Sequence, residues 1–215
     1  MNFKLVTFLQ NPVNQRLSNL IKLALLNTRS FHRQFKDIIS EPESSADVLC
    51  VNETWMKQQP TPDMTNRTSY RQDRKHRQAG GDLCYISTKF TSQCFLRATY
   101  NDIDILHVML SIRGPVHIIL VYFAPNGSTA HCKDIIYNAI LNIPDTDRIF
   151  ILGDFNKVVL NGQKFCTFRT LIPSPTCKTG SALDMVFYNR HDQVMTHIQP
   201  VYFSYYSVIW VGVQF

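Results

Sequence analysis

The sequence predicts an α/β or α+β layered domain, and three observations predict it. Short, wholly apolar runs of strand length recur along the chain, as expected of strands covered on both faces. Segments with apolar residues at helical spacing lie between some of these runs. With 215 residues, 45% of them apolar and 18% charged, the chain can bury a core and falls outside the composition of disordered sequences. That length suits one domain. Residues 1–19, polar after a short apolar start, are set apart as an unassigned N-terminal extension, and residues 20–215 are the expected domain.

The elements follow in order. Leu20–Leu26 is an apolar run that ends at Asn27. Arg29 to Ser40 places Phe31, Phe35, Ile38 and Ile39 on one helical face. Val48–Val51 is a short strand, apolar throughout. Residues 56–81, with Pro60, Pro62, Gly80 and Gly81, are expected to be loop. Strands are expected at Leu83–Ser87, Cys94–Tyr100, Ile103–Ile112 and Val116–Phe123, then a helix at Ser128–Leu141 with Ser128 as N-cap. Arg148–Leu152 is another buried strand, and Gly153-Asp154-Phe155-Asn156 turns out of it. Residues 161–180 read mostly as loop, and Leu183–Tyr188 and Val208–Val213 close the pattern.

The net charge of +6 favours an anionic partner, with nucleic acid first. No apolar run approaches the roughly 20 residues of a membrane span, so no membrane partner is expected. Six cysteines, at 50, 84, 94, 132, 166 and 177, show no CxxC spacing, which argues against zinc. Cys50 and Cys84 have apolar flanks and read as buried strand thiols. Met1 to Gln10 has no unbroken apolar core of the kind a signal peptide needs. The expected location is intracellular, nuclear or cytoplasmic, and the three Asn-x-Ser/Thr sequons at Asn52, Asn66 and Asn126 are then incidental.

Four polar residues follow apolar runs: Asn27, Glu53, Asp154 and Asn156. Strand ends are where ligand-binding groups gather in layered sheets. Two carboxylates and two amides together would suit a hard, oxygen-seeking cation such as Mg²⁺. Any one of them alone reads equally as a turn-capping residue; the ordered set is the signal.

Five segments carry a wider resemblance: Leu25-Leu26-Asn27-Thr28-Arg29-Ser30, Ala46 through Trp55 with its Glu53-Thr54-Trp55, Val121-Tyr122-Phe123-Ala124-Pro125, Ile149 through Asn156, and Leu183-Asp184-Met185-Val186-Phe187. In this order they resemble the endonuclease/exonuclease/phosphatase superfamily, most closely the endonuclease domains of LINE-type (non-LTR) retrotransposons. The resemblance covers about residues 20–213. It implies a DNase I-like four-layer α/β sandwich, two packed mixed sheets flanked by helices, and hydrolysis of DNA phosphodiester bonds assisted by Mg²⁺ or Mn²⁺. It implies Glu53 as principal metal ligand with Asn27 in support, and Tyr122 on the scissile phosphate. Asp154 would act on the attacking water or the leaving oxygen, with Asn156 fixing the phosphate or Asp154. Asp184 would orient a catalytic histidine. It also implies that the basic loop before Gly80-Gly81, with Arg71, Arg74, Lys75 and Arg77, lies near DNA, where phosphate contacts position without reading sequence. Thr176 falls where these endonucleases have a Thr-His pair near DNA.

The sequence departs from that pattern in three places. The family's final Ser-Asp-His reads Ser204-Tyr205-Tyr206, which keeps the serine and loses a metal ligand and the imidazole. Cys177 stands where the histidine of the Thr-His pair would be, and Asp82 where an apolar residue usually follows the glycines. None of the seven histidines adjoins Ser204, and His197 lies inside the strand expected before it. Neutral tyrosine is a poor Mg²⁺ ligand, and with an ordinary pKa near 10 it is a poor base at neutral pH. The expectation is therefore a DNA endonuclease domain of impaired activity, with Asp184 left to water in an open cleft. The alternative is a non-enzymatic nucleic-acid-binding remnant of the same fold. A lipid or inositol phosphatase fits the Asn-x-Arg-Ser and Glu-Thr-Trp wording less well.

Overall fold

The computed structural model describes residues 20–41, 45–74, 79–172 and 174–215. The extension assigned to residues 1–19 lies outside the described residues, as do Lys75 and Arg77. Two six-stranded mixed sheets face one another. The first contains β1 (Leu20–Asn27), β2 (Val48–Asn52), β3 (Arg67–Gln72), β4 (Asp82–Ser87), β11 (Gln193–Gln199) and β12 (Val208–Gln214), in the order β11-β12-β1-β2-β4-β3. The second contains β5 (Ser92–Tyr100), β6 (Ile103–Ser111), β7 (Pro115–Phe123), β8 (Arg148–Asp154), β9 (Arg169–Thr170) and β10 (Asp184–Tyr188), in the order β5-β6-β7-β8-β10-β9. Each sheet has one parallel pair, β1 with β2 and β7 with β8, and the other pairs are antiparallel. A helix crosses between the members of each parallel pair: α1 (Phe31–Ser40) and α2 (Thr129–Ile140). A parallel pair needs such a crossover because a tight turn cannot return the chain to the same direction.

Strand alternation explains why the central runs are apolar on every residue. Leu23 and Leu25 of β1, Val48 and Cys50 of β2, Leu120 of β7 and Leu152 of β8 join one core between the sheets. Their neighbours Ala24, Leu26, Leu49 and Val51 instead form a core with Phe31 and Ile38 of α1. Ile119, Val121, Ile149 and Ile151 pack with Cys132, Ile136 and Ile140 of α2. The layers are thus helix, sheet, sheet, helix, the expected sandwich. Cys50 and Cys84 are buried register partners with sulfurs 3.9 Å apart, and the cysteines are free. Among the described residues no helix is long and apolar enough to cross a membrane.

The structure differs from the sequence expectation in three segments. The stretch 56–81 is not all loop, because Arg67–Gln72 pairs with β4 as an edge strand. Its polar, half-exposed residues lack an apolar signal because only one neighbour and part of one face cover it. Residues 161–180 hold the two-residue strand β9 and a 3-10 turn at Gln163–Phe165. The first helix begins at Phe31, since Arg29 and Ser30 have φ of 47° and 116°. Ser128 does cap α2, accepting from the His131 N–H.

Gly153 has φ 142°, and a Cβ there would lie 1.8 Å from the Val121 carbonyl oxygen. Gly180 also has positive φ but open space around it. Gly153→Ala is expected to cost about 3 kcal/mol or more in urea unfolding, and Gly180→Ala only the backbone cost of about 1–2 kcal/mol. Equal losses would show that close packing of β7 on β8 is not what Gly153 provides.

Candidate active site

The same alternation builds the site. Asn27 shares the phase of Leu23 and Leu25, Asn52 that of Val48 and Cys50, and Asp82 that of Cys84 and Ile86. In the other sheet Asp104, Tyr122, Asp154 and Asp184 share the phase of Leu106, Leu120, Leu152 and Val186. All seven therefore belong to the face between the sheets. Register then sets them in rows. Asn27 is opposite Asn52, and Asn52 opposite Asp82. Asp104 is opposite Tyr122, Tyr122 opposite Asp154, and Asp154 opposite Asp184. The interlayer is apolar along its length and polar at this end.

Hydrogen bonds tie the rows together. Asn27 Nδ2 donates to Asp154 Oδ2 at 2.9 Å. Asn52 Nδ2 donates to Asp82 Oδ1 at 2.6 Å and to the Val121 carbonyl at 3.1 Å. The Asn156 backbone N–H donates to Asp154 Oδ1 at 3.1 Å, and its side chain to the Phe123 carbonyl at 2.6 Å. Glu53 lies just past β2 with φ 57°, a left-handed conformation that is uncommon for such a residue and often found at functional sites. Its Oε2 accepts from the Trp55 indole and, at 3.2 Å, from the Gly80 N–H. Gly80 must be glycine: a Cβ there would lie 2.7 Å from Asp104 Oδ2 and 3.1 Å from the Tyr122 ring.

Four aspartates and a glutamate are thus buried together: Glu53, Asp82, Asp104, Asp154 and Asp184. Burial disfavours the charged form. It lifts Asp82 and Asp184 well above the usual carboxylate range, with repulsion from Asp104 and Asp154 respectively adding to it. Burial also raises Asp104, and Arg74 opposes the rise. Asp154 is pushed up to about 7 by burial; the Asn156 N–H opposes this and the Glu53 charge adds to it. The Tyr122 phenol is raised by burial and then by Glu53. Asn27 Oδ1 and both Asp184 carboxyl oxygens are buried without a hydrogen-bond partner. Among the described residues no three His, Cys, Asp or Glu stand together at metal-holding spacing. The Glu53 carboxylate and the unpartnered Asn27 oxygen still match a cation that takes few protein ligands and keeps its waters.

Ser204 and Tyr206 lie beside this cluster, next to Asn27, Asp154 and Asp184. Ser204 Oγ donates to the Asn27 carbonyl at 2.8 Å and accepts from the Tyr206 N–H at 3.1 Å. The Tyr206 phenol is buried and pushed up to about 12, first by burial and then by the Asp154 charge. Asp184 is 1% exposed, so the expected open, water-filled surround is not what it has. The 176–177 and 206–207 segments pair there through the Cys177–Tyr206 bridge and the 2.8 Å Ser207 N–H to Thr176 carbonyl bond.

Three residues expected at DNA have internal partners instead. Thr176 is fully buried, and its hydroxyl accepts from the Leu183 and Asp184 N–H groups at 3.2 and 3.1 Å. Arg71 clamps the preceding loop, donating to the Lys57 and Gln59 carbonyls at 2.6 Å and pairing with Asp73. Arg74 is buried, 3.9 Å from Asp104, with its guanidinium 5.5 Å from the Tyr122 ring centroid. Sequence reasoning missed Asn52, Asp82 and Asp104 as members of the site. Their phase with apolar neighbours was the available signal, since a polar residue on a core face requires a reason.

The chain belongs to the endonuclease/exonuclease/phosphatase family: residues 18–202 match the model of the Endonuclease/Exonuclease/phosphatase family, ending just before Ser204-Tyr205-Tyr206. Among solved structures it is similar to the endonuclease domain of TRAS1, a telomere-specific non-LTR retrotransposon, with TM-score 0.71 and 12% identity over 91% of this chain and 98% of that one. It is similar to TDP2 from Caenorhabditis elegans, with TM-score 0.68 and 12% identity over 98% and 83%. It is also similar to the 3′ phosphatase NExo from Neisseria bound to product DNA hairpin, with TM-score 0.64 and 11% identity over 91% and 100%. No curated protein matches the chain. At these identities the likeness is one of fold, and the fold is the DNase I-like sandwich.

Because the folded-state pKa of Asp154 is about 7 against an ordinary 3.8, the folded state holds a proton that the unfolded state has released between those values. Stability therefore falls as pH rises through this window, by up to about 1.4 kcal/mol per pH unit from this group. In chelator-containing buffer, Asp154→Asn is expected to flatten that slope and to exceed wild type in stability at pH 8, with the two converging near pH 4. Parallel stability profiles for the two proteins would refute the assignment.

Proposed function

We propose that the chain is a DNA-acting phosphodiesterase domain of the retrotransposon-endonuclease kind whose hydrolytic step is impaired. One observation supports this reading: Asn27, Tyr122, Asp154 and Asp184 lie together at one end of the interlayer, and among the described residues no imidazole bonds the Asp184 carboxyl, as expected if Ser204-Tyr205-Tyr206 stands for the family's Ser-Asp-His. The DNA-processing relatives in fold and the net charge of +6 support nucleic acid as partner.

Glu53 and Asn27 Oδ1 are the residues that would hold Mg²⁺ or Mn²⁺. The ion, when bound, supplies a Lewis acid for the phosphoryl oxygens. Tyr122, whose raised pKa keeps it protonated, donates a hydrogen bond to a phosphate oxygen. Asp154, near half-protonation at neutral pH, is suited to orient a water or to give a proton to the leaving oxygen. The Asn156 N–H holds Asp154 in place for that transfer. What is missing is the imidazole that Asp184 would orient, and Tyr206, with its pKa near 12, does not replace it as a base. Loss of one member of a cooperating catalytic set commonly costs on the order of 10⁴ in rate. The lack of a partner for Asp184 equally favours a second reading, a binding-only remnant.

With Mg²⁺, the protein is expected to nick supercoiled plasmid at or near background while binding duplex DNA at low salt. Combining Tyr205→Asp with Tyr206→His is expected to raise nicking by at least about tenfold, since it restores part of a set worth far more. Adding Glu53→Ala should abolish that gain. Robust nicking by the unaltered chain that Glu53→Ala abolishes would overturn the impaired reading, and no gain from the double substitution would favour the remnant.

A further inference from the structure

The second sheet carries a polar feature on its outer face, away from the carboxyl cluster. His107 of β6 and His117 of β7 share the phase of Ile105 and Ile119, which α2 covers. Register pairs Met109 with His117 toward the Ser111–Pro115 end of this hairpin, whereas Asp104 and Tyr122 pair toward the other end. Between the two imidazoles and the end of α2 lies an open cavity of about 520 Å³. Leu96, Met109, Pro115 and Ile143 supply apolar walls, and Asp147 lines it beside the imidazoles. A β-bulge shapes one side. The β5–β6 register shifts between Cys94 and Leu96 and leaves Phe95 unpaired. Successive strand residues ordinarily point to opposite faces, yet Phe95 and Leu96 both line the cavity, a re-aiming that bulges produce. The Phe95 ring, 54% exposed, stacks on His107 at 5.3 Å between centroids and meets His117 edge-on at 6.1 Å.

A hydrogen-bonded chain runs along the floor. His117 Nε2 is 3.2 Å from Asp147 Oδ2, and His117 Nδ1 is 2.8 Å from His107 Nε2. A carboxylate can only accept, so His117 Nε2 carries the proton. In the neutral pair His117 Nδ1 then accepts from His107 Nε2–H, and His107 Nδ1 is left as a bare acceptor. Burial, and then the His117 charge, pushes His107 down to about 4, which keeps it neutral. His107 is 5% exposed, and among the described residues no group bonds its Nδ1. We infer that this cavity is a second binding site and takes a small, uncharged, planar heteroaromatic molecule bearing an N–H or O–H donor. The donor bonds His107 Nδ1, and the ring plane lies against Phe95. The volume is in the range of small-molecule sites, and apolar walls with few convergent polar groups are their usual make-up. An anion would meet the Asp147 carboxylate, a cation would give up its water to apolar walls, and a donor-free ring would leave Nδ1 buried and unpaired.

Titration of the full chain with indole, and separately with benzofuran, followed by NMR at about pH 8, above the ordinary imidazole range, tests this. The two probes share size and shape, and only indole has a donor. Indole is expected to shift the His107 and His117 ring signals and the Ala139 and Ile143 amides, and to bind about tenfold more tightly than benzofuran. His107→Phe keeps a ring and removes the acceptor, so it should bind the two probes alike. Phe95→Ala should weaken both by roughly fivefold and keep their ratio, since it removes the stacking face alone. Equal affinity of the unaltered chain for the two probes, or shifts confined to other surfaces, overturns the inference, and that comparison needs no variant to fold. An indole preference that survives in His107→Phe overturns it as well.

Discussion

Five carboxyl groups buried at one end of a β-sandwich set the terms for the rest of this molecule. Unpaired carboxylates in a low-dielectric interior are strongly disfavoured. Here they are held mainly by neutral donors: the amides of Asn27 and Asn52 and the backbone N–H groups of Gly80, Gly81 and Asn156. Arg74 is the cation buried among them. Neutral donors satisfy geometry without supplying charge, so burial still raises the pKa values of Asp82, Asp104, Asp154 and Asp184. The Asn27 bond to Asp154 has the largest structural reach, because it joins the ends of β1 and β8 and fixes one sheet on the other where the apolar interlayer stops. Such a cluster stabilises a fold poorly, which makes it a candidate functional site.

How much of this was legible in the sequence depended on which neighbours decide each residue. The central strands could be read because both faces are covered, which leaves them nearly all apolar. Asn27, Glu53, Asp154 and Asn156 stood out as polar residues at or just beyond the ends of such runs. β3 could not be read, since a polar edge strand is defined by the partner it finds in β4. Asp82 looked like a departure and Asp104 like an ordinary strand residue. Only pairing shows them opposite Asn52 and Tyr122. The burial of Asp184 depended on the pairing of two distant loop segments, a tertiary fact with no local signature. Arg71, Arg74 and Thr176 show the converse. The resemblance suggested a role at DNA, and their side chains find partners within the fold.

The site divides into two parts that need not share a fate. On the proposed reading, Glu53, Asn27, Tyr122, Asp154 and Asn156 form the part that would hold an ion and a phosphate, with Asn27 and Asn156 both bonded to Asp154. The part that should handle the proton has Asp184 but no imidazole. Binding free energy and transition-state stabilisation are separate quantities. A protein of this build could therefore retain one without the other.

The loop that carries Tyr205 and Tyr206 is fastened almost wholly through its main chain and Ser204. The Tyr205 carbonyl accepts from Lys178, the Ser207 N–H reaches Thr176, and Ser204 links the Asn27 carbonyl to the Tyr206 N–H. These bonds take little account of what side chains stand at 205 and 206. Its main-chain course is therefore set apart from the identity of those two side chains, and on the proposed reading the chemistry there could change while the loop stays in place.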